Sequence, residues 1–398
     1  MRMPIRPQIA SLATLAVAVC LGAEPEATKP KVAPVAAPPP IKLLLPPVIY
    51  AVPGVEMNVY FDNVSLTVNP ANYVFDVTCN RGIQQNERWS YTPTGKTIGQ
   101  FGFSIAVRNR ANELLTEAKS MIRVSPKNAG AGRPVSILVI GDSLTAASVY
   151  PKHVGELCQG EDNPKLKMIG SVRRTSGYPH EGYGGWTAQR FATLWKDGVA
   201  RTGAKTGGSP FLYAGADGKP ALDLGKYCEE FNGGKAPDFV TILLGCNDTF
   251  SATDETIEAR IDIMFQHYDT LLEMIRSLSK DTQIGCLLLV PPAGTQDAFG
   301  ANYRCSQTRW QYKRNQFRVA ERMMAHYGGR EKENINLIPA NVNLDCMHNY
   351  PSRTGKANSR SERKVTRLAN GVHPAAEGYR QIGDSIYCWL KACLAAKE

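Results

Sequence analysis

Hydrophobic and polar positions repeat with two different periods along this chain, and the change falls near residue 130. Between 47 and 125 the period is two: Val55, Met57, Val59 and Phe61, then Tyr73, Phe75, Val77 and Cys79, then Phe101, Phe103, Ile105 and Val107, with Ile122 and Val124 closing the series. Turn-forming clusters DN, NP, NRG and TPTG separate these runs, so the spacing predicts a small all-β sandwich. PKNAGAGRP at 126–134 reads as a flexible join. Beyond it, short apolar runs at 136–140, 166–170, 239–244, 283–290 and 335–338 alternate with long amphipathic stretches. Ile257, Ile261, Met264, Tyr268, Leu271, Ile275 and Leu278 share one helical stripe, and Tyr379, Ile382, Ile386 and Trp389 share another. Strands alternating with helices are the signature of βαβ units. The expected fold of 135–398 is therefore α/β, a flavodoxin-like three-layer arrangement around a doubly wound parallel sheet.

The first 46 residues belong to neither pattern. Arg2 and Arg6 precede an apolar run at 9–21, and Gly22 and Ala23 follow it; together these predict a secretory signal peptide over 1–23 and a secreted or periplasmic protein. The run is too short for a membrane anchor, and Val19 before Cys20, where a small residue is wanted, argues against a lipoprotein. No other stretch is apolar enough to span a bilayer. Residues 24–46, rich in Pro and Ala, read as an extended tether.

Composition adds limits. A chain of 398 residues with 43% hydrophobic content can bury a large core. Its formal charge of +10, about +8 without Arg2 and Arg6, favours anionic surroundings. No zinc-finger spacing, helix-turn-helix pattern or basic-aromatic RNA motif accompanies that charge, so nucleic acid is not an expected partner. Of the ten cysteines, nine lie beyond Cys20; an odd count leaves at least one free thiol, and the absence of CxxC argues against structural zinc.

The candidate chemistry starts at SILVIGDSLTAAS, 136–148, where an apolar strand runs into a helix start. Ser143 then sits at the carboxyl end of a parallel strand, where open α/β sheets place their ligands. A serine nucleophile needs a base, and donors for the developing oxyanion. LLGCND puts Asn247 at the same edge with a neutral side-chain N–H. HEGYGGWTA holds Gly182, Gly184 and Gly185 within four residues, a backbone able to approach a ligand closely. Of six histidines, His373 in NGVHPAAEGY is placed on a loop before the last helix. Each segment alone has a structural explanation as a cap, turn or loop. In this order they reinforce one another.

GDSLT, the glycine of GYGGWT, GCND and VHP together resemble the four consensus blocks of the SGNH, or GDSL, hydrolase superfamily, over about residues 134–398. The resemblance implies Ser143 as nucleophile, His373 as general base, and an oxyanion hole from the N–H of Ser143, the N–H of Gly185 and the side chain of Asn247. It implies no cofactor and no metal. The family usually places Asp three residues before the histidine, whereas this chain has Asn370. Asp345, just beyond the last strand, is the candidate substitute acid. The resemblance further implies ester hydrolysis, and export, the tether and the β module favour O-acetyl groups on polysaccharide as substrate. Trp186, Tyr303 and Trp310 are candidates for stacking on sugar rings. A lipid or thioester hydrolase of the same superfamily, and a polysaccharide-binding protein weakened in catalysis by Asn370, are the competing expectations.

Overall fold

The computed structural model describes residues 41–173, 177–196 and 207–396. The expected signal peptide and residues 24–40 of the expected tether lie outside them.

The run VSILVIG is buried along its whole length and forms the strand Pro134–Gly141. Apolar on both faces, it is a strand that helices must cover on both sides. It pairs in parallel with Lys165–Ile169 on one side and Phe239–Leu243 on the other. Gln283–Leu287 and Ile335–Ile338 extend the sheet, also in parallel. Counted along the chain, the order is 2-1-3-4-5, that of flavodoxin-like folds. Two helical groups cover the sheet: Val149–Leu157 packs on Ala376–Ala395, while Ile257–Leu278 packs with Ala188–Thr193, Leu224–Asn232 and Arg309–Tyr327. The last helix buries Ile382, Ile386 and Trp389 completely, each side chain contributing about 1.5–3 kcal/mol of burial.

The period-two region forms two small sheets. Val48–Ala51, Leu114–Val124, Gly99–Arg108 and Val74–Thr78 make one, and Met57–Tyr60, Arg88–Tyr91 and Ile83–Gln84 make the other. Their inner faces share a core of Phe61, Trp89, Phe103, Ile105 and Val107, with the Trp89 and Phe103 rings 4.9 Å apart. The first strand, Val48–Ala51, runs parallel to 121–124; the other pairs in these sheets are antiparallel.

Two expectations change at the edges of this region. Ordered packing begins before residue 47: Ile41 and Leu45 are buried, and Lys42–Leu43 pairs with Ser65–Leu66. Apolar side chains inside the Pro-rich stretch had a core to enter. The join at 126–134 is clamped rather than flexible. Ala129 is buried and its carbonyl accepts from Lys391 Nζ at 2.8 Å, while Gly130, at φ +70°, lies so close to Leu394 that a Cβ would sit 2.6 Å from it.

Polar groups stitch the β-rich part to the parallel sheet. Asn58 N–H donates to Asn343 Oδ1 at 2.8 Å, and Asn63 Nδ2 donates to the carbonyls of Asn341 and Leu344 at 2.9 and 2.8 Å. Asp62 accepts from Arg309 at 2.6 Å and from Lys313 at 2.5 Å. Burial depresses the pKa of the Lys313 ammonium, against the raising effect of Asp62. Among the described residues, no helix is long and apolar enough to cross a membrane.

Candidate active site

The sheet delivers its first strand into a four-residue helix, Ser143–Ala146, with Asp142 as N-cap. Asp142 Oδ1 accepts from the N–H of Leu144 at 2.9 Å, which fixes the turn. Gly141 is required here by crowding: a Cβ would lie 2.0 Å from Thr145 Oγ1 and 2.9 Å from Leu243 O. Ser143, at the first helical position, is left partly exposed. Its Oγ lies 2.9 Å from Nε2 of His373. That distance permits direct proton transfer from the hydroxyl to the imidazole.

His373 sits on the loop between Leu368 and the last helix. Asn370 shapes this loop, its Oδ1 accepting from the backbone N–H of Val372 at 3.1 Å and of His373 at 2.9 Å. The amide oxygen thus holds the backbone of His373. Among the described residues, no group hydrogen-bonds Nδ1 of His373. For Nε2 to take the serine proton, Nδ1 must carry the ring proton. Burial depresses the His373 pKa below that of a free imidazole, favouring the neutral form that can act as a base.

Gly185 adopts φ +75° in a turn closed by Trp186 N–H donating to Tyr183 O at 3.2 Å. A positive φ at the third turn position selects glycine. This turn follows Glu181–Gly182, which pairs with Ile140 and Gly141 and so brings the glycine segment beside the start of the Ser143 helix. Glu181 anchors the segment from below: its fully buried carboxylate accepts from Ser171 N–H and Oγ, Tyr183 OH and Tyr227 OH at 2.5–2.9 Å. Among the described residues, neither Ser143 N–H nor Gly185 N–H has an internal acceptor.

Asn247 lies in the turn Cys246–Thr249, which Gly245 enters at φ +129°. Its Nδ2 donates to Asp142 Oδ2 at 3.2 Å and to Trp186 O at 3.0 Å. Two acceptors on one side fix which end of the amide is the donor. Asp142 Oδ2 also accepts from Cys246 Sγ at 3.0 Å. Burial pushes the Asp142 carboxyl up to about 6, and burial likewise pushes the neighbouring Asp248 up to about 7. One carboxylate therefore links the Ser143 turn to the Asn247 turn. Sequence reasoning passed over Asp142, although its position directly before Ser143 was the available signal.

A family model for the GDSL-like lipase/acylhydrolase matches residues 137–386, the segment that holds all of these groups. The chain belongs to this family. It is an ester-bond hydrolase of the SGNH superfamily, with the parallel sheet that superfamily membership implies. No protein of curated function matches it. Solved structures similar to it include a carbohydrate acetylesterase family member from Sinorhizobium meliloti, at 15% identity over 65% of this chain and 99% of that one, TM-score 0.37. An acetylxylan esterase catalytic mutant from Geobacillus stearothermophilus matches at 15% identity over 65% and 94%, TM-score 0.31. The acetyl xylan esterase AlAXEase matches at 13% identity over 64% and 98%, TM-score 0.33.

The carboxyl edge of the sheet gathers Ser143, His373, Asn370 and Asn247 through the contacts described, with the Gly185 turn bound to Asn247 through Trp186 O. It does not bring Asp345 to His373. Asp345 instead bonds His348, through the backbone N–H at 2.9 Å and Nδ1 at 3.0 Å, and accepts from Tyr60 OH at 3.1 Å. Trp186 is corrected as well: it is only 2% exposed and stacks on Tyr183 at 4.4 Å, so its ring is closed to a sugar. Tyr303 packs against Phe250 and Phe299 at 5.1 and 5.9 Å and is half-buried. Trp310 remains partly exposed on the helix Arg309–Tyr327. Among the described residues, no three His, Cys, Asp or Glu side chains are placed to share a metal ion.

Proposed function

We propose that the chain is an exported esterase that removes O-acetyl groups from carbohydrate through an acyl-enzyme on Ser143. The observation that carries this reading is the 2.9 Å contact between Ser143 Oγ and His373 Nε2 at the carboxyl edge of the sheet. Ser143 attacks the ester carbonyl and passes its proton to Nε2. The oxyanion meets the N–H groups of Ser143 and Gly185 and the amide of Asn247. His373 then gives that proton to the departing sugar oxygen, which leaves as the free hydroxyl, and the acyl-enzyme is hydrolysed by a water that His373 deprotonates. With no carboxylate among the described residues bonded to Nδ1, Ser143 and His373 work as a dyad, and Asn370 holds the backbone of the base.

A short acyl group fits the surroundings. Among the described residues, Met347 is the one large, exposed apolar side chain in the loops at the catalytic edge, so a long acyl chain finds little surface to bury. The apolar run at 9–21 and the Pro-rich stretch behind it support export to a polymeric substrate. A fluorophosphonate probe is expected to label Ser143 in folded protein, and nitrophenyl acetate to be hydrolysed at least tenfold faster than the octanoate. Preference for octanoate refutes the carbohydrate reading. Failure to label refutes the active nucleophile.

A further inference from the structure

Between the last sheet strand and the loop of His373 the chain makes an antiparallel hairpin, Ser352–Lys356 with Lys364–Leu368. Residues 352–368 carry six cations, Arg353, Lys356, Arg360, Arg363, Lys364 and Arg367, against the single anion Glu362. That excess is half of the formal charge of the whole chain, +10. The strands are almost wholly exposed.

The register sets like charges opposite one another. Arg353 faces Arg367 and Lys356 faces Lys364, an arrangement that destabilises a sheet pair. Local anions answer two of the cations: Lys356 bonds Glu362 at 2.5 Å, and Arg367 reaches Asp297 at 3.3 Å. Among the described residues, Arg353, Arg360, Arg363 and Lys364 have no carboxylate partner. The bond from Ala357 N–H to Arg363 O continues the ladder, so Arg353, Arg363 and Arg367 share one face. Arg363 and Arg367, four residues apart, lie about 13 Å from each other along the strand.

The hairpin is rooted at the site. Ala369 N–H donates to Pro351 O at 2.7 Å and closes its base. Leu368 is five residues from His373, which limits the separation of their Cα atoms to about 18 Å. The base of the hairpin therefore lies within about 18 Å of the residue that contacts Ser143 Oγ.

We infer that this hairpin binds an anionic polysaccharide, one bearing carboxylate or sulfate groups, and delivers its acyl esters to Ser143. The inference rests on the esterase reading for the delivery and on the hairpin alone for the binding. Guanidinium forks suit carboxylate and sulfate oxygens. Residues 352–368 contain no aromatic residue, whereas single-stranded nucleic acid is held by stacking platforms interleaved with cations. The hairpin also lacks the apolar face with which an amphipathic element enters a lipid surface.

The test uses the full chain and the unpartnered cations, changed together as Arg353→Gln, Arg363→Gln and Lys364→Gln. In a Ser143→Ala background, affinity electrophoresis through partially O-acetylated polygalacturonate should show at least tenfold weaker binding for the triple variant. Arg353→Lys with Arg363→Lys, which keeps the charge and loses the forks, should bind more tightly than the glutamine variant and less tightly than the parent. In the active enzyme, kcat/KM should fall at least tenfold on that polymer and stay unchanged on neutral acetylated xylan and on nitrophenyl acetate. Equal retention of both proteins, or equal losses on xylan, overturns the proposal. So does a loss confined to duplex DNA or phosphatidylserine vesicles. Binding without hydrolysis of any ester leaves the hairpin proposal standing and removes the esterase reading; hydrolysis without hairpin-dependent binding does the reverse.

Discussion

Replacing Asn370 separates two kinds of support for a catalytic histidine. If Asn370 oriented the imidazole ring as the acid of a serine protease triad does, its loss would cost about 10⁴-fold in rate, or about 5.4 kcal/mol of barrier. The structure gives it a different task. Its Oδ1 accepts two backbone N–H groups, at 2.9 and 3.1 Å, each bond contributing about 1 kcal/mol net. Asn370→Ala is thus expected to lower stability by about 2 kcal/mol. Through a looser loop, it should lower kcat/KM on nitrophenyl acetate by about tenfold. Asn370→Asp keeps an acceptor for both N–H groups and should unfold close to the parent. Ser143→Ala should remove about 10⁶-fold of kcat, the scale set by loss of a serine nucleophile. Initial rates give the activity, and urea midpoints with unchanged m-values show that the variants remain folded. A loss of 10³-fold or more in folded Asn370→Ala would refute the dyad and show that the amide orients the ring.

Two further outcomes are expected. Because burial depresses the His373 pKa and the base works as neutral imidazole, the acid limb of the kcat/KM profile on nitrophenyl acetate should have its midpoint below 6.5; a midpoint at or above 6.5 contradicts the burial argument. Asp62→Ala strands the Lys313 ammonium, whose side chain is 4% exposed, and should cost about 3–5 kcal/mol by urea unfolding. Adding Lys313→Met should recover part of that loss.

Much of the catalytic layer was legible because its signals are local. The strand Ile335–Ile338 appears with its expected bounds, and the other four sheet strands within a few residues of theirs. A buried parallel strand has to be an apolar run, and the chain offers few of them. The hairpin at 352–368 was not legible for the opposite reason: SRTGK and KVTRL have no apolar face, and only pairing with each other makes them strands. Asn58 alternates with apolar positions and Asn63 lies in the turn cluster DN, yet both meet the segment 341–344. Polar residues that satisfy one another across a buried boundary look like surface in a sequence. Trp186 shows the same limit for aromatics, since its place in GGWT says nothing about which way the ring turns. Asp345 stood at the correct edge, but its nearest imidazole was three residues along the chain, at His348.

The amide of Asn247 arrives at the reaction already engaged, bonded to Asp142 and to the Trp186 carbonyl. In the proposed mechanism it must release one of these acceptors to reach the substrate oxygen. A neutral ester carbonyl is no better an acceptor than the groups it would displace, whereas a full oxyanion is far stronger. The exchange therefore becomes favourable only as charge develops on the oxygen. Asn247 would act as a threshold detector, indifferent to bound ester and responsive to the tetrahedral state, which is the kind of selective binding that raises kcat instead of tightening the Michaelis complex.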